Sequence, residues 1–244
     1  MEQPINRRLR EIDILRGIAL ALMIVYHLLY DLNVFFNFSI AYDKGLFYLT
    51  GKSAAVLFIL VAGISSSFSR NNIYRGLKLI TWGCVIFLIT YIVVPGSNIV
   101  FGILQFLGVC LLLYPMFKNI SSSVLAAAGT AIILIDEFIA QLSVSQNWLV
   151  PLGFREPSFS SVDYFPLIPW LGVFLWGLSI SKIIYKQKNS LIKAENKLFK
   201  PFSAIGKHTL VIYLVHQPII MAALYLIIDP IDFFNMFENI WATS

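Results

Sequence analysis

Residues 10–36 read REIDILRGIALALMIVYHLLYDLNVFF. The run has the length of the ~20 apolar residues that a helix needs to cross a bilayer, yet it carries Asp13, Arg16, His27 and Asp31. At ~100° per residue, Arg16 and His27 fall within ~20° of each other and ~16 Å apart along the axis, with Asp13 and Asp31 both within ~60° of that line. The opposite face is Ile14, Leu15, Ile18, Ala21, Leu22, Val25, Leu28, Leu29 and Leu32, which suits lipid or apolar neighbours. Ionisable groups inside a bilayer cost several kcal/mol and face a protein interior or a wet cavity. The stripe therefore predicts a helix that lines a site.

Composition agrees with a membrane chain. Over 244 residues it is 58% hydrophobic and only 13% charged, with a mean hydropathy of +0.78, whereas soluble domains carry about 25% charge. The first run follows three arginines and has no small-residue cleavage site, so it reads as a retained span and not as a cleaved signal peptide. Seven spans are expected, near 12–35, 46–68, 74–94, 99–117, 122–142, 164–185 and 207–228. The class is all-α, a polytopic helical bundle forming one domain over 1–244.

Basic residues set the expected orientation, because positive charge stays in the cytoplasm. Arg7, Arg8, Arg10 and Arg16 lie at the amino end, Arg70, Arg75 and Lys78 around the second loop, and Lys118 in the fourth. Lys182, Lys186, Lys188, Lys193, Lys197, Lys200 and Lys207 border or fill the sixth. The other side has only Lys44, Lys52 and Arg155, with Asp229, Asp232 and Glu238 in the tail. The amino terminus is thus expected inside and the carboxyl terminus outside, in the plasma membrane. The basic side accounts for the net charge of +5. It is explained by topology and anionic lipid alone, or in addition by a polyanionic cosubstrate. For the latter, Lys207 and His208 in GKHT are the best candidates, at the expected start of the seventh helix, where backbone N–H groups favour phosphate. The longest loops are 143–163 outside, which ends at Asp163 and is expected to be a lid or binding surface, and 187–206 inside.

Within the spans, His27 comes with partners. Asp31 at i+4 is close enough to interact, and a carboxylate on one imidazole nitrogen would raise the basicity of the other, as a general base needs. Arg16 offers a permanent charge for phosphate or carboxylate. The alternative is a structural network in which Asp13 neutralises Arg16 and Asp31 pairs with His27. His216 shares a face with Thr209 and Tyr213, either as a further functional group or in repairing the carbonyl that Pro218 frees. Gln105 in FGILQFLG suits an interhelical hydrogen bond, and AGISSS at 62–67 suits close helix packing. Cys84 and Cys110 read as small buried hydrophobes. No metal is expected, since HExxH and CxxC pairs are missing, and neither a nucleotide motif nor a GxSxG elbow is present. No nucleic-acid partner is expected.

Four stretches carry a family resemblance: REIDILRGIALALMIVYHLLYDLN, RGLKLITWGCVIFLITYIVVPGSNIVFGILQFLG, DYFPLIPWLGVFLWGL and IGKHTLVIYLVHQPI. From Arg10 to about Ile220 the chain resembles small prokaryotic proteins grouped with the catalytic domain of heparan-alpha-glucosaminide N-acetyltransferase. More distantly, Arg16 and His27 look like the arginine and histidine pair on the first helix of type-three membrane acyltransferases. Many relatives carry histidine where Gln105 stands. The resemblance implies a transmembrane acyltransferase that takes an acyl group, acetyl above all, from cytoplasmic acyl-CoA and passes it to a small-molecule or glycan acceptor on the far side. His27 and Asp31 would then be catalytic, with Arg16, Lys207 and His208 near the acyl-CoA and His216, Gln105 and Asp163 as further candidates. Direct transfer and an acyl-histidine route are both open. The reading from another class is a transporter or flippase whose charged stripe carries protons or binds a lipid-linked substrate.

Overall fold

A computed structural model of the protein describes residues 9–93, 99–139, 141–142, 147–156, 159–186, 190–192 and 197–229. Its helices are α1 (Arg10–Val34), α2 (Gly45–Ser66), α3 (Asn72–Val93), α4 (Ile103–Phe117), α5 (Ser122–Leu134), the short α6 (Asp136–Ile139), α7 (Leu167–Ile184), α8 (Lys200–Lys207) and α9 (Thr209–Ile228). Among the described residues six helical segments are long and apolar enough to cross a membrane, α5 and α6 counting as one, and α4 is a shorter apolar helix. The fold is the expected polytopic helical bundle. Arg7, Arg8, Lys188, Lys193, Asp232 and Glu238 lie outside the described residues.

The chain divides into two compact units, residues 1–58 with 190–244 and residues 59–189. In the first, α1 packs most extensively on α8. A Cβ on Gly17 would strike the Phe202 carbonyl, and one on Gly206 would strike that of Asp13, so two glycines let the backbones touch. Glu11, buried at the start of α1, accepts hydrogen bonds from Ser190 Oγ (2.5 Å) and Leu191 N (3.0 Å) and fastens the approach to α8. The 187–206 segment read as a loop thus contains a helix, which lies along α1 because KPFSAIGK offers that helix a glycine and small residues.

The second unit is held by the same device. Gly63 and Gly177 bring α2 and α7 together, Gly76 and Gly108 join α3 to α4, and Gly129 and Gly172 join α5 to α7. The Gly63 contact accounts for the small-residue run at 62–67 as packing. Gln105 Nε2 donates to the Gly83 carbonyl at 2.9 Å, an interhelical bond from α4 to α3.

The fourth helix starts at 103 and not near 99, because the segment before it is pinned by residues 161–165. Phe165 N donates to the Phe101 carbonyl (2.8 Å), Val100 N to Ser161 Oγ (3.2 Å), and Ile103 N to Asp163 Oδ2 (3.1 Å). Asp163 therefore supplies, from sixty residues away, an acceptor for one of the unpaired N–H groups at a helix start. The 143–163 loop also holds a short 3-10 helix, Asn147–Leu152.

Tyr164, next to Asp163, donates its hydroxyl to the Val150 carbonyl at 2.6 Å. Burial pushes this phenol up to about 12, the Arg155 guanidinium acting in the opposite direction and Asp136 in the same one. A raised pKa means that the folded state holds the proton more tightly, so this contribution is complete below about pH 10 and is lost as pH rises towards 12. Thermal unfolding in detergent should show an alkaline loss of stability in that window, and Tyr164→Phe should flatten it.

Candidate active site

The ionisable stripe of α1 is met by α9 within the first unit. Asp31 is wholly buried, and both its oxygens accept from the Nε2 of Gln217, at 2.8 and 2.9 Å. One turn back along α1, His27 meets His216 of α9 with ring centroids 5.0 Å apart and planes at 87°. Tyr26 stands edge-on to His27 at 5.9 Å, and Tyr213 tilts against His216 at 5.5 Å. Four polar residues from two apolar helices thus form one cluster.

The expected hydrogen bond from Asp31 to His27 is replaced by another. His27 Nδ1 lies 2.9 Å from the Met23 carbonyl, because helical side chains lean towards the amino end and the ring turns to the carbonyl four residues back. Asp31, four residues on, is drawn across to Gln217 instead. His216 behaves similarly, with Nδ1 2.6 Å from the Tyr213 carbonyl. His216 Nδ1 therefore does not serve the carbonyl that Pro218 frees, which belongs to Leu214. A carbonyl can only accept, so both imidazoles carry their proton on Nδ1 and keep a lone pair on Nε2. His216 Nε2 is buried without a hydrogen-bond partner, as is the Gln217 carbonyl oxygen.

At the other end of the stripe Arg16 NH1 lies 3.4 Å from Asp13 Oδ1, the i+3 neutralisation that the sequence offered as an alternative. Lys207 and His208 do not begin the last long helix as expected. Lys207 is the last residue of α8, and His208, at φ −113° and ψ 26°, breaks the chain before α9. They still come to the Arg16 end of α1, because Gly206 packs on the Asp13 carbonyl. Both are exposed. Gln105 and Asp163 belong to the second unit, where each makes the structural bonds described above. Gln217 was missed by the sequence reading; its signal was an amide beside a histidine in an apolar helix. Among the described residues no group of three or more histidine, cysteine or carboxylate side chains could hold a metal ion.

A lone-pair nitrogen on a fixed imidazole can accept a proton, and a buried carboxylate beside it can balance the resulting charge. Fold and site together define a polytopic helical membrane protein with acid–base groups at the contact of two spans. The chain belongs to the family described as heparan-alpha-glucosaminide N-acetyltransferase, catalytic, which it matches over residues 8–218. That family is one of transmembrane acetyltransferases, and the matched residues include all of the cluster. No curated protein sequence and no solved structure matches the chain.

The Asp31–Gln217 contact can be measured. Gln217→Leu strands a buried carboxylate and should cost about 1.5–3 kcal/mol, the scale of a hydrogen bond to a charged group. The double change with Asp31→Leu should cost less than Gln217→Leu alone, because the uncompensated charge is gone. Unfolding in detergent of the wild type, both single variants and the double variant checks this.

Proposed function

We propose that the protein transfers an acyl group, acetyl above all, from cytoplasmic acyl-CoA to a hydroxyl or amine on the outer side of the plasma membrane. The observation that carries the reading is the geometry of α1: Arg16 lies near one end, and eleven residues on His27 keeps its Nε2 lone pair because Nδ1 is committed to the Met23 carbonyl. Family membership supports the reaction class. The lysine and arginine asymmetry supports placing Arg16 on the cytoplasmic side, with the amino terminus inside and the carboxyl terminus outside.

In this mechanism His27 Nε2 takes the proton of the acceptor's O–H or N–H. The freed electron pair attacks the thioester carbonyl, and collapse of the tetrahedral intermediate breaks the C–S bond and releases CoA. Asp31 acts on His27 as a fixed counter-charge and not through a direct hydrogen bond. Arg16 holds a phosphate of the CoA arm, helped by Lys207 and His208 at the same end of α1.

Purified protein should bind CoA or acetyl-CoA, and Arg16→Ala should weaken binding by about 1.5–3 kcal/mol through one lost charge-assisted contact. Calorimetry that finds no binding by folded protein would favour the transporter reading. His27→Ala should leave folding and CoA affinity near wild type while transfer from labelled acetyl-CoA to a panel of sugars and amines falls about 100-fold or more. Unchanged transfer per folded molecule would remove His27 from the mechanism.

A further inference from the structure

The cluster on α1 and α9 is rich in acceptors and poor in donors. Asp31 offers two carboxylate oxygens, His216 Nε2 and the Gln217 carbonyl oxygen are buried without partners, and the Gln217 amide is the donor that reaches Asp31. His27 adds a second imidazole whose Nδ1 is already committed. The other titratable groups facing the cluster are phenols: Tyr26 beside His27, Tyr213 beside His216, and Tyr30, the neighbour of Asp31 in the chain. From α2 comes Phe58, against Tyr213. Among the described residues no lysine or arginine pairs with Asp31.

An ionised carboxylate in the bilayer region without a cation is costly, and here the two imidazoles are the groups that can become one. Two rings 5.0 Å apart cannot both be charged cheaply away from water, since like charges that close oppose each other's protonation. One carboxylate also balances one imidazolium and no more. We propose that His27, His216 and Asp31 form a single-proton store, in which the two imidazoles, both neutral before the reaction, together take up one proton and no more against the Asp31 carboxylate. Resting on His27 as the base, the store gives that proton a destination. The O–H or N–H bond of the acceptor breaks, its proton reaches His27 Nε2, and His216 Nε2 shares it through an intervening water, which gives up one proton as it accepts the other, until a proton returns to bulk water. His216 is then a second acid–base residue of the reaction, contributed by a different helix from His27.

The test counts protons on the full chain in detergent, labelled with 15N-histidine and titrated between about pH 8 and pH 5, where an ordinary imidazole charges. The signals of exposed His208 are set aside by their loss in His208→Gln. His27 and His216 together should take one proton, with the signals of both moving in the same step, and in Asp31→Asn they should take none in that range. Two independent full titrations, or no titration of either ring, would overturn the proposal. His216→Gln, folded and binding CoA as wild type, should transfer at least about 10-fold more slowly with a displaced pH profile; an unmoved rate and profile would also overturn it. If wild-type protein transfers no acyl group to any acceptor, the functional reading fails while the proton count still stands or falls by itself.

Discussion

The amide of Gln217 on the carboxylate of Asp31 is the contact on which the first unit depends. A polar group in a hydrocarbon setting must find its partner inside the protein, and a carboxylate needs it most. With Asp31 fully buried and both oxygens on one Nε2, α1 and α9 cannot rotate independently without stranding a charge. That fixes the register that brings His216 to within 5.0 Å of His27. The residue read as the orienting partner of His27 thus orients the whole helix on which His216 stands.

Close packing completes what this contact begins. Hydrophobic burial gives little reason for helices to associate in lipid, so approach depends on small residues and directional bonds. Gly17 and Gly206 let α8 lie against α1, and Glu11 holds the segment that leads to it. In consequence Lys207 and His208 come to the level of Asp13 and Arg16. The cationic end and the imidazole end are therefore built on one rigid support, with ~16 Å of helix between Arg16 and His27.

Six of the spans were legible because each is an apolar run of bilayer length, and the stripe on α1 because 3.6 residues per turn is a strict period. Less legible was whatever depended on a partner distant in the chain. Asp31 points as readily to His27 as to Gln217 when only spacing is known, and 186 residues separate the pair that forms. The start of α4 was misplaced for the same reason, since Asp163 and Phe165 decide it from sixty residues away. α8 escaped notice because eight residues with two lysines carry too little hydropathy to mark a helix; its glycine, Gly206, and Gly17 of α1, not its apolar content, are what dock it.

The tautomers of the two histidines follow from local geometry and not from catalysis. Any histidine in a helix can turn Nδ1 to a carbonyl one turn back, and here both do so, at 2.9 and 2.6 Å. Such a bond commits the donor and leaves the acceptor, which gives each ring the protonation state of a base. A carboxylate at Nδ1 would strengthen that base further, but it would also cancel each imidazolium separately. Placing the one carboxylate on a neutral amide keeps its charge available to the pair as a whole. The same choice that removes Asp31 from a direct dyad with His27 leaves one carboxylate beside two imidazoles, with no lysine or arginine paired to it among the described residues.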